Sequence, residues 1–173
     1  MNFLFINFFT DINFEFFAQL IVSAILGFII GLDREYKSKP AGVKTFMYVS
    51  VACTLLTIIS IESVTKFGLL NDLVRMDPLR LAAQIVSGLG FLGAGVILKD
   101  GLKIRGLTSA AMILFAGGVG IGIGAGFYEI VVFAMIFSMV LARLADRLEI
   151  RLREKVDRKE ELTNKEDKKV NSL

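Results

Sequence analysis

Charged side chains at two places in the chain are the residues best suited to chemistry, because both groups adjoin long apolar stretches. The first group is Asp33, Arg34 and Glu35, which follow one such stretch, with Arg105 at the end of a later polar loop. Together they predict a charged cluster, and two carboxylates with retained waters would suit Mg²⁺. The same residues also fit a loop whose opposite charges neutralise one another and orient the chain, so the sequence leaves the metal unknown.

The second group is Asp77, Arg80 and Gln84. Asp77 and Pro78 form a strong helix start, since aspartate caps free N–H groups and proline has no N–H to lose at the first helical position. Arg80 and Gln84 then fall in the first two turns of that helix. Either the arginine reaches the membrane surface and the glutamine bonds across helices, or the three residues line a polar pocket at the mouth of a helix bundle.

The residue types that are missing narrow the possible reactions. The chain has no histidine, and its single cysteine, Cys53, lies in an apolar run. Imidazole bases, multi-cysteine metal sites and intramolecular disulfides are therefore excluded. The sequence brings together no nucleophile, base and orienting group, and no phosphate loop ending in Gly-Lys-Ser/Thr is present. We expect a protein that is not an enzyme, needs no cofactor and binds no nucleic acid.

The elements that must position these groups are membrane-spanning helices. With 54% hydrophobic residues and a mean hydropathy of +0.65, the chain is too apolar for an ordinary soluble domain. Each crossing of the ~30 Å hydrocarbon layer needs ~20 apolar residues, whose backbone groups must be satisfied within the helix. The predicted fold class is all-α, a polytopic membrane helix bundle of about five spans, at Phe14–Leu32, Val43–Ile61, Leu81–Leu98, Leu107–Gly126 and Phe127–Leu144, with a turn near 124–129 between the last two.

The distribution of Lys and Arg predicts the orientation of these spans. The 33–44 loop carries four basic residues, the 99–106 loop three and the tail from Arg143 ten, whereas the 62–80 loop carries three and the segment before the first span none. Placing the first three regions in the cytoplasm puts seventeen basic residues inside and three outside. We therefore expect a multi-pass cell-membrane protein with its N-terminus outside and its C-terminus in the cytoplasm.

Small residues recur on one face of the third span and on one face of the fourth. The residues concerned are Ala83, Ser87, Gly90 and Ala94, then Gly118, Gly122 and Gly126. Such faces let another backbone approach closely and predict helix packing. So much glycine also permits a kinked helix that lines a cavity, which leaves an ion path along these two spans open.

The chain divides by composition into a transmembrane domain, residues 1–144, and a charged cytoplasmic tail, residues 145–173. Leu144, Leu148, Leu152 and Val156 recur at steps of four, which predicts a helix that continues the fifth span. We expect the residues after Thr163 to be disordered, since they are low in hydrophobicity. The apolar stripe fits a membrane-surface helix, a coiled coil or a partner-binding helix. The expected partners are the lipid bilayer and either other membrane proteins or a second copy, as a homo-oligomer.

Four runs carry the most distinctive motifs of the chain: Gly31 to Glu35, Lys39 to Thr45, Asp77 to Ile97 and Ile104 to Ala111. In this order and spacing they resemble the successive motifs of the MgtC/SapB membrane proteins, over roughly residues 15–140. Two mild departures are Lys44, where the family usually has arginine, and Ser109, where threonine is usual. Many members add an ACT-like C-terminal domain, and only residues 145–173 remain for one here, so the chain resembles a short form that lacks it.

The resemblance implies a bacterial inner or plasma membrane protein that is connected with magnesium limitation, acid or intracellular survival and virulence. Members of the family are viewed as regulators of other membrane complexes more than as carriers. The resemblance therefore favours a non-enzymatic regulator in Mg²⁺, ion or envelope-stress homeostasis. The alternative is a small Mg²⁺ or ion transporter, or a channel subunit, with its path along the glycine-rich third and fourth helices.

Overall fold

The structure is a computed structural model that describes residues 13–37, 39–68, 77 and 79–170. Within these residues it consists of helices and one short hairpin, which confirms the predicted all-α membrane bundle. The elements are α1 (Phe14–Tyr36), α2 (Val43–Gly68), α3 (Leu79–Val96), β1 (Leu98–Asp100), β2 (Lys103–Arg105), α4 (Leu107–Gly124) and α5 (Tyr128–Val170). The turn predicted between the last two spans lies at residues 125–127.

Four of the described helices are long and apolar enough to cross a membrane. They are α1, α2, α4 and the first part of α5, Tyr128–Arg151, while α3 contributes a shorter apolar helix, Arg80–Val96. At 1.5 Å per residue α3 rises only ~25 Å, a few ångströms less than the hydrocarbon layer. The prediction that this span continues to Leu98 is wrong, because Leu98 pairs with Arg105 in the antiparallel β1–β2 hairpin.

Helix α1 shows why these sequences fold as packed spans. Its buried residues recur at steps of three and four, which places them on one helical face; they are Gln19, Ser23, Gly27, Ile30, Gly31 and Arg34. The opposite face carries exposed apolar side chains such as Phe17, Ile21 and Phe28, which a bilayer would cover. In lipid there is little hydrophobic drive between helices, so close packing and hydrogen bonds along the first face must hold α1 in place.

Glycines bring α1, α2 and α4 into backbone contact. A Cβ added at Gly27 of α1 would lie 2.7 Å from the Phe46 carbonyl oxygen of α2. On α4, a Cβ added at Gly124 would lie 2.7 Å from the Thr54 carbonyl oxygen, and one added at Gly120 would overlap the Ser50 carbonyl oxygen. Only glycine permits these approaches, so the spacing of the three helices depends on it.

Most residues predicted for helix packing on α3 and α4 do not make close contacts in the structure. An added Cβ at Gly90 or Gly118 meets no atom within 4 Å, and Gly126 lies in the α4–α5 turn with φ +80°. Gly122 faces the Val131 side chain. The other residues predicted to pack lie on α3 and are exposed, namely Ala83, Ser87 and Ala94. The close contacts of α4 are made instead by the neighbouring face of Gly117, Gly120 and Gly124.

The chain divides into two compact units between Val131 and Val132. The second unit is the remainder of α5, in which Phe133 and Phe137 stack with their ring centroids 5.7 Å apart. Helix α5 runs without a break through residue 144 and as far as Val170. The expectation of disorder after Thr163 is therefore wrong for residues 164–170, whose Glu and Lys residues are strong helix formers. Residues 171–173 lie outside the described part of the chain.

Candidate functional site

Arg34 is the most deeply buried charge among the described residues, with only 4% of its surface exposed. It lies in the last turn of α1, and its Nη2 donates a hydrogen bond of 2.6 Å to the Ser109 Oγ. Ser109 is the third residue of α4 and is itself 1% exposed. A guanidinium in a membrane bundle is costly unless it is bonded. The Arg34–Ser109 bond therefore fixes the end of α1 to the start of α4.

The two carboxylates beside Arg34 serve the connection between α1 and α2. Asp33 forms an ion pair of 3.2 Å with Lys37, the residue that follows the end of α1. The Glu35 Oε2 accepts a hydrogen bond of 3.3 Å from the Val43 N–H, at the first residue of α2. A carboxylate at a helix N-terminus is favoured by the free N–H groups and the helix dipole. Both carboxylates thus stabilise the turn between the two helices.

The four residues of the predicted charged cluster lie on two elements. Asp33, Arg34 and Glu35 share the end of α1, whereas Arg105 is exposed on β2 and forms no ion pair with a described residue. Among the described residues no group of three or more Asp, Glu, His or Cys is placed to hold a metal ion. The functional role predicted for these four residues stays a prediction.

A cluster of buried hydroxyl groups joins α1, α2 and α4 in the middle of the bundle. The Ser23 Oγ lies 2.9 Å from the Ser50 Oγ and 2.7 Å from the Thr54 Oγ1. Thr54 also lies within hydrogen-bond distance of the Gly120 carbonyl oxygen, at 2.9 Å. The Thr54 hydroxyl is the donor to the Ser23 Oγ and to the carbonyl oxygens of Ser50 and Gly120, so its single proton is shared among three acceptors on α1, α2 and α4. We call Ser23, Ser50 and Thr54 the hydroxyl cluster.

Gln19 lies one helical turn from Ser23 on the same face of α1. Its Nε2 donates a hydrogen bond of 2.9 Å to the Tyr128 hydroxyl at the start of α5. Its Oε1 is buried and has no hydrogen-bond partner among the described residues. Gln19 therefore extends the polar face of α1 to the end of the bundle opposite Arg34.

The group of Asp77, Arg80 and Gln84 lies around the start of α3, and the polar pocket predicted for it at the mouth of the bundle stays a prediction. All three residues are exposed. Gln84 lines an apolar groove of about 530 Å³ between α2 and α3, together with residues such as Val49, Leu56 and Leu92. The groove forms because α3 packs on α4, where Leu89 covers Gly117 and Gly93 faces Ala110. What these three polar residues contribute to function stays a prediction.

Sequence reasoning missed the hydroxyl cluster and the glycine contacts beside it. The signal was available on α1, where Gln19, Ser23, Gly27 and Gly31 follow one another at steps of four and so share a face. On α2, Ser50, Thr54 and Thr57 repeat the pattern. A polar or small residue at each turn of an apolar helix indicates a helix contact.

Comparison with known proteins gives a consistent set of relatives. The sequence profile of the MgtC family matches residues 20–151. Protein SapB of Bacillus subtilis is 47% identical over 116 residues, which cover 66% of this chain and 50% of the relative. The putative magnesium transporter YhiD of Escherichia coli is 38% identical over 126 residues, 70% of this chain and 56% of the relative. Protein MgtC of Salmonella typhimurium is 33% identical over 123 residues, which cover 71% of this chain and 49% of the relative.

The matched region amounts to about half the length of each of these relatives. No solved structure matches the chain.

Proposed function

The chain belongs to the MgtC family, and from that premise we propose that it is a non-enzymatic membrane regulator in Mg²⁺ or envelope-stress homeostasis. It acts through contacts with other membrane proteins. One relative is named a putative magnesium transporter, which supports a connection with magnesium. The chain spans about half the length of these relatives.

The proposal rests on the hydrogen bonds that the buried hydroxyl groups of the bundle form. The hydroxyl cluster is bonded within itself and to the Gly120 carbonyl oxygen. Immediately beside it, the glycine contacts bring the backbones of α1, α2 and α4 together. Polar groups that mark a transport path face a cavity or water, whereas these join helix to helix. Hydroxyl groups bonded in this way support a protein that works through its outer surfaces.

The alternative is transport of Mg²⁺ or another ion along α3 and α4, and the name of the Escherichia coli relative favours it. On this path, however, the Leu89 side chain fills the space at Gly117. A Cβ added at Gly93 would lie 3.5 Å from the Ala110 Cβ, an ordinary packing distance. The two helices are therefore in contact where the path would run, which supports the regulator.

Reconstitution into liposomes separates the two functions. Purified full-length protein is incorporated into vesicles that contain a Mg²⁺-sensitive dye, and Mg²⁺ is added outside. We expect no influx above that of protein-free vesicles, while an added ionophore gives the full signal. Robust influx that disappears in Gln84→Leu or Asp77→Asn would contradict the regulator and establish a transporter.

A further inference from the structure

The groove between α2 and α3 is open on the outer surface of the bundle and is apolar along most of its length. Its walls include Tyr48, Val49 and Leu56 on α2 and Ile85, Gly88 and Leu92 on α3. A Cβ added at Gly88 would meet no atom within 4 Å, so the wall at this point is open space. An apolar groove of about 530 Å³ on a membrane-spanning bundle faces hydrocarbon and must be filled by something apolar.

One end of the groove is polar. Gln84 lines it, and Arg80 lies one turn nearer the start of α3 on the same helical face. Both residues are exposed, and the described residues give the Gln84 carboxamide no hydrogen-bond partner. Along α3 the Arg80 guanidinium therefore comes first, the Gln84 carboxamide second and the apolar wall of the groove last.

We propose that this groove binds one acyl chain of an anionic phospholipid, whose phosphate pairs with Arg80 and whose ester carbonyl accepts a hydrogen bond from the Gln84 Nε2. The order of groups in a phospholipid, with phosphate first, ester next and hydrocarbon last, matches the order along α3. Arginine binds phosphate oxygens with paired N–H donors, so the charges are complementary. Because α3 begins at this end, the headgroup lies at the membrane surface where α3 starts.

A second copy of the chain fits this face less well. A two-fold pairing of parallel α3 helices through the groove would bring the two Arg80 side chains towards each other, and like charges in a poorly hydrated interface repel. The lipid brings the opposite charge instead. The site does not depend on whether the protein regulates or conducts, since the groove lies on the outside of the bundle.

Two glycines of α3 make a matched pair of variants for the test. Gly88→Leu places a side chain in the groove, and Gly90→Leu places one on the same helix outside it. Neither added Cβ meets an atom within 4 Å, and leucine is the better helix former, so both variants should fold. Arg80→Gln removes the charge and leaves the groove unchanged.

Native mass spectrometry of the full-length protein measures the outcome, after exchange into detergent with equal amounts of phosphatidylglycerol and phosphatidylcholine of identical acyl chains. The wild type and Gly90→Leu should retain one phosphatidylglycerol per chain, and Gly88→Leu should retain none. Arg80→Gln should lower the preference for phosphatidylglycerol about fivefold.

Three results would overturn the proposal. Equal retention by Gly88→Leu and Gly90→Leu would place the lipid elsewhere. Equal retention of the two phospholipids by the wild type would show that the retained lipid is nonspecific and has no site in the groove. A lipid-free wild-type dimer that Gly88→Leu converts to a monomer would show that a second copy fills the groove.

Discussion

At the scale of single residues, burial distinguishes two arginines whose positions in the sequence look alike. Arg34 and Arg80 both adjoin apolar spans, but Arg34 is 4% exposed and bonded to Ser109, whereas Arg80 lies on the surface. A buried charge that loses a partner is strongly destabilising, and an exposed one is not. Arg34 thus belongs to the structure of the bundle, while Arg80 is free to serve recognition at its edge.

Ser109→Ala should lower the free energy of unfolding by about 1.5–3 kcal/mol, the usual cost of losing a hydrogen bond to a charged group. The cause is the loss of the acceptor for the Arg34 Nη2. Denaturation of the purified protein in mild detergent measures the change. Thr108→Ala, at the exposed neighbouring position, is the control and should stay within about 0.5 kcal/mol of the wild type. Equal effects of the two substitutions would show that the Arg34–Ser109 bond is not a determinant of stability.

Charge patterns predict which residues meet only when those residues are close in the chain. Asp33, Arg34 and Glu35 are neighbours, so their common location at the end of α1 follows from the sequence. Only its predicted membrane side places Arg105 in the same group, and this residue is exposed on β2 and forms no ion pair with a described residue. The partner of Arg34 proved to be Ser109, which is 75 positions away and carries no charge that a pattern would reveal.

At the scale of helices, the close contacts of α4 depend on which of its glycines face α2 and α3. Gly117, Gly120 and Gly124 have neighbours that an added Cβ would meet, whereas Gly118 has none. The sequence shows a helix with many glycines but does not show which face lies inward. Helix α4 is apolar all round, so no row of polar residues marks the side that packs against the other helices.

Gly120→Ala should lower the free energy of unfolding by about 1–3 kcal/mol, because its Cβ would overlap the Ser50 carbonyl oxygen and push α4 away from α2. Gly118→Ala, two positions earlier, should be neutral or stabilise by up to about 1 kcal/mol, since alanine is the better helix former. Denaturation under identical detergent conditions compares the two variants. Similar stabilities for both would mean that α4 does not approach α2 through Gly120.

The positions of the helices themselves could be predicted closely, because length and apolarity decide where a chain can cross a membrane. The starts of α1, α2 and α4 agree with the predicted spans at Phe14, Val43 and Leu107. The end of α3 could not be predicted, since the hydrophobicity of Ile97 and Leu98 continues past the helix into a hairpin strand. Hydrophobicity alone does not distinguish the last turn of a span from the strand that follows it.

At the scale of the whole molecule, the distribution of Lys and Arg among the loops predicts the orientation of the chain in the membrane. Reporter fusions at Met1 and Val74 should report the outside, and fusions at Ser38, Lys103 and Leu173 the cytoplasm. Activity of enzyme reporters that work on only one side of the membrane measures each position. An external Lys103 would require a different division of the last three spans.

The packing of α1, α2 and α4 around the hydroxyl cluster is tested most directly by the access of water to its hydroxyl groups. The chain has one cysteine, so Cys53→Ala gives a background without thiols. Ser50→Cys then places a thiol in the hydroxyl cluster, and Lys103→Cys places one on the exposed hairpin as the control.

A charged, membrane-impermeant thiol reagent is applied to each side of sealed vesicles, and the modified fraction is measured by mass spectrometry. Lys103→Cys should react from one side, and Ser50→Cys should react from neither side until the protein is denatured. Modification of Ser50→Cys in the folded protein, from either side, would reveal water at the hydroxyl cluster and contradict the close packing of the three helices around it.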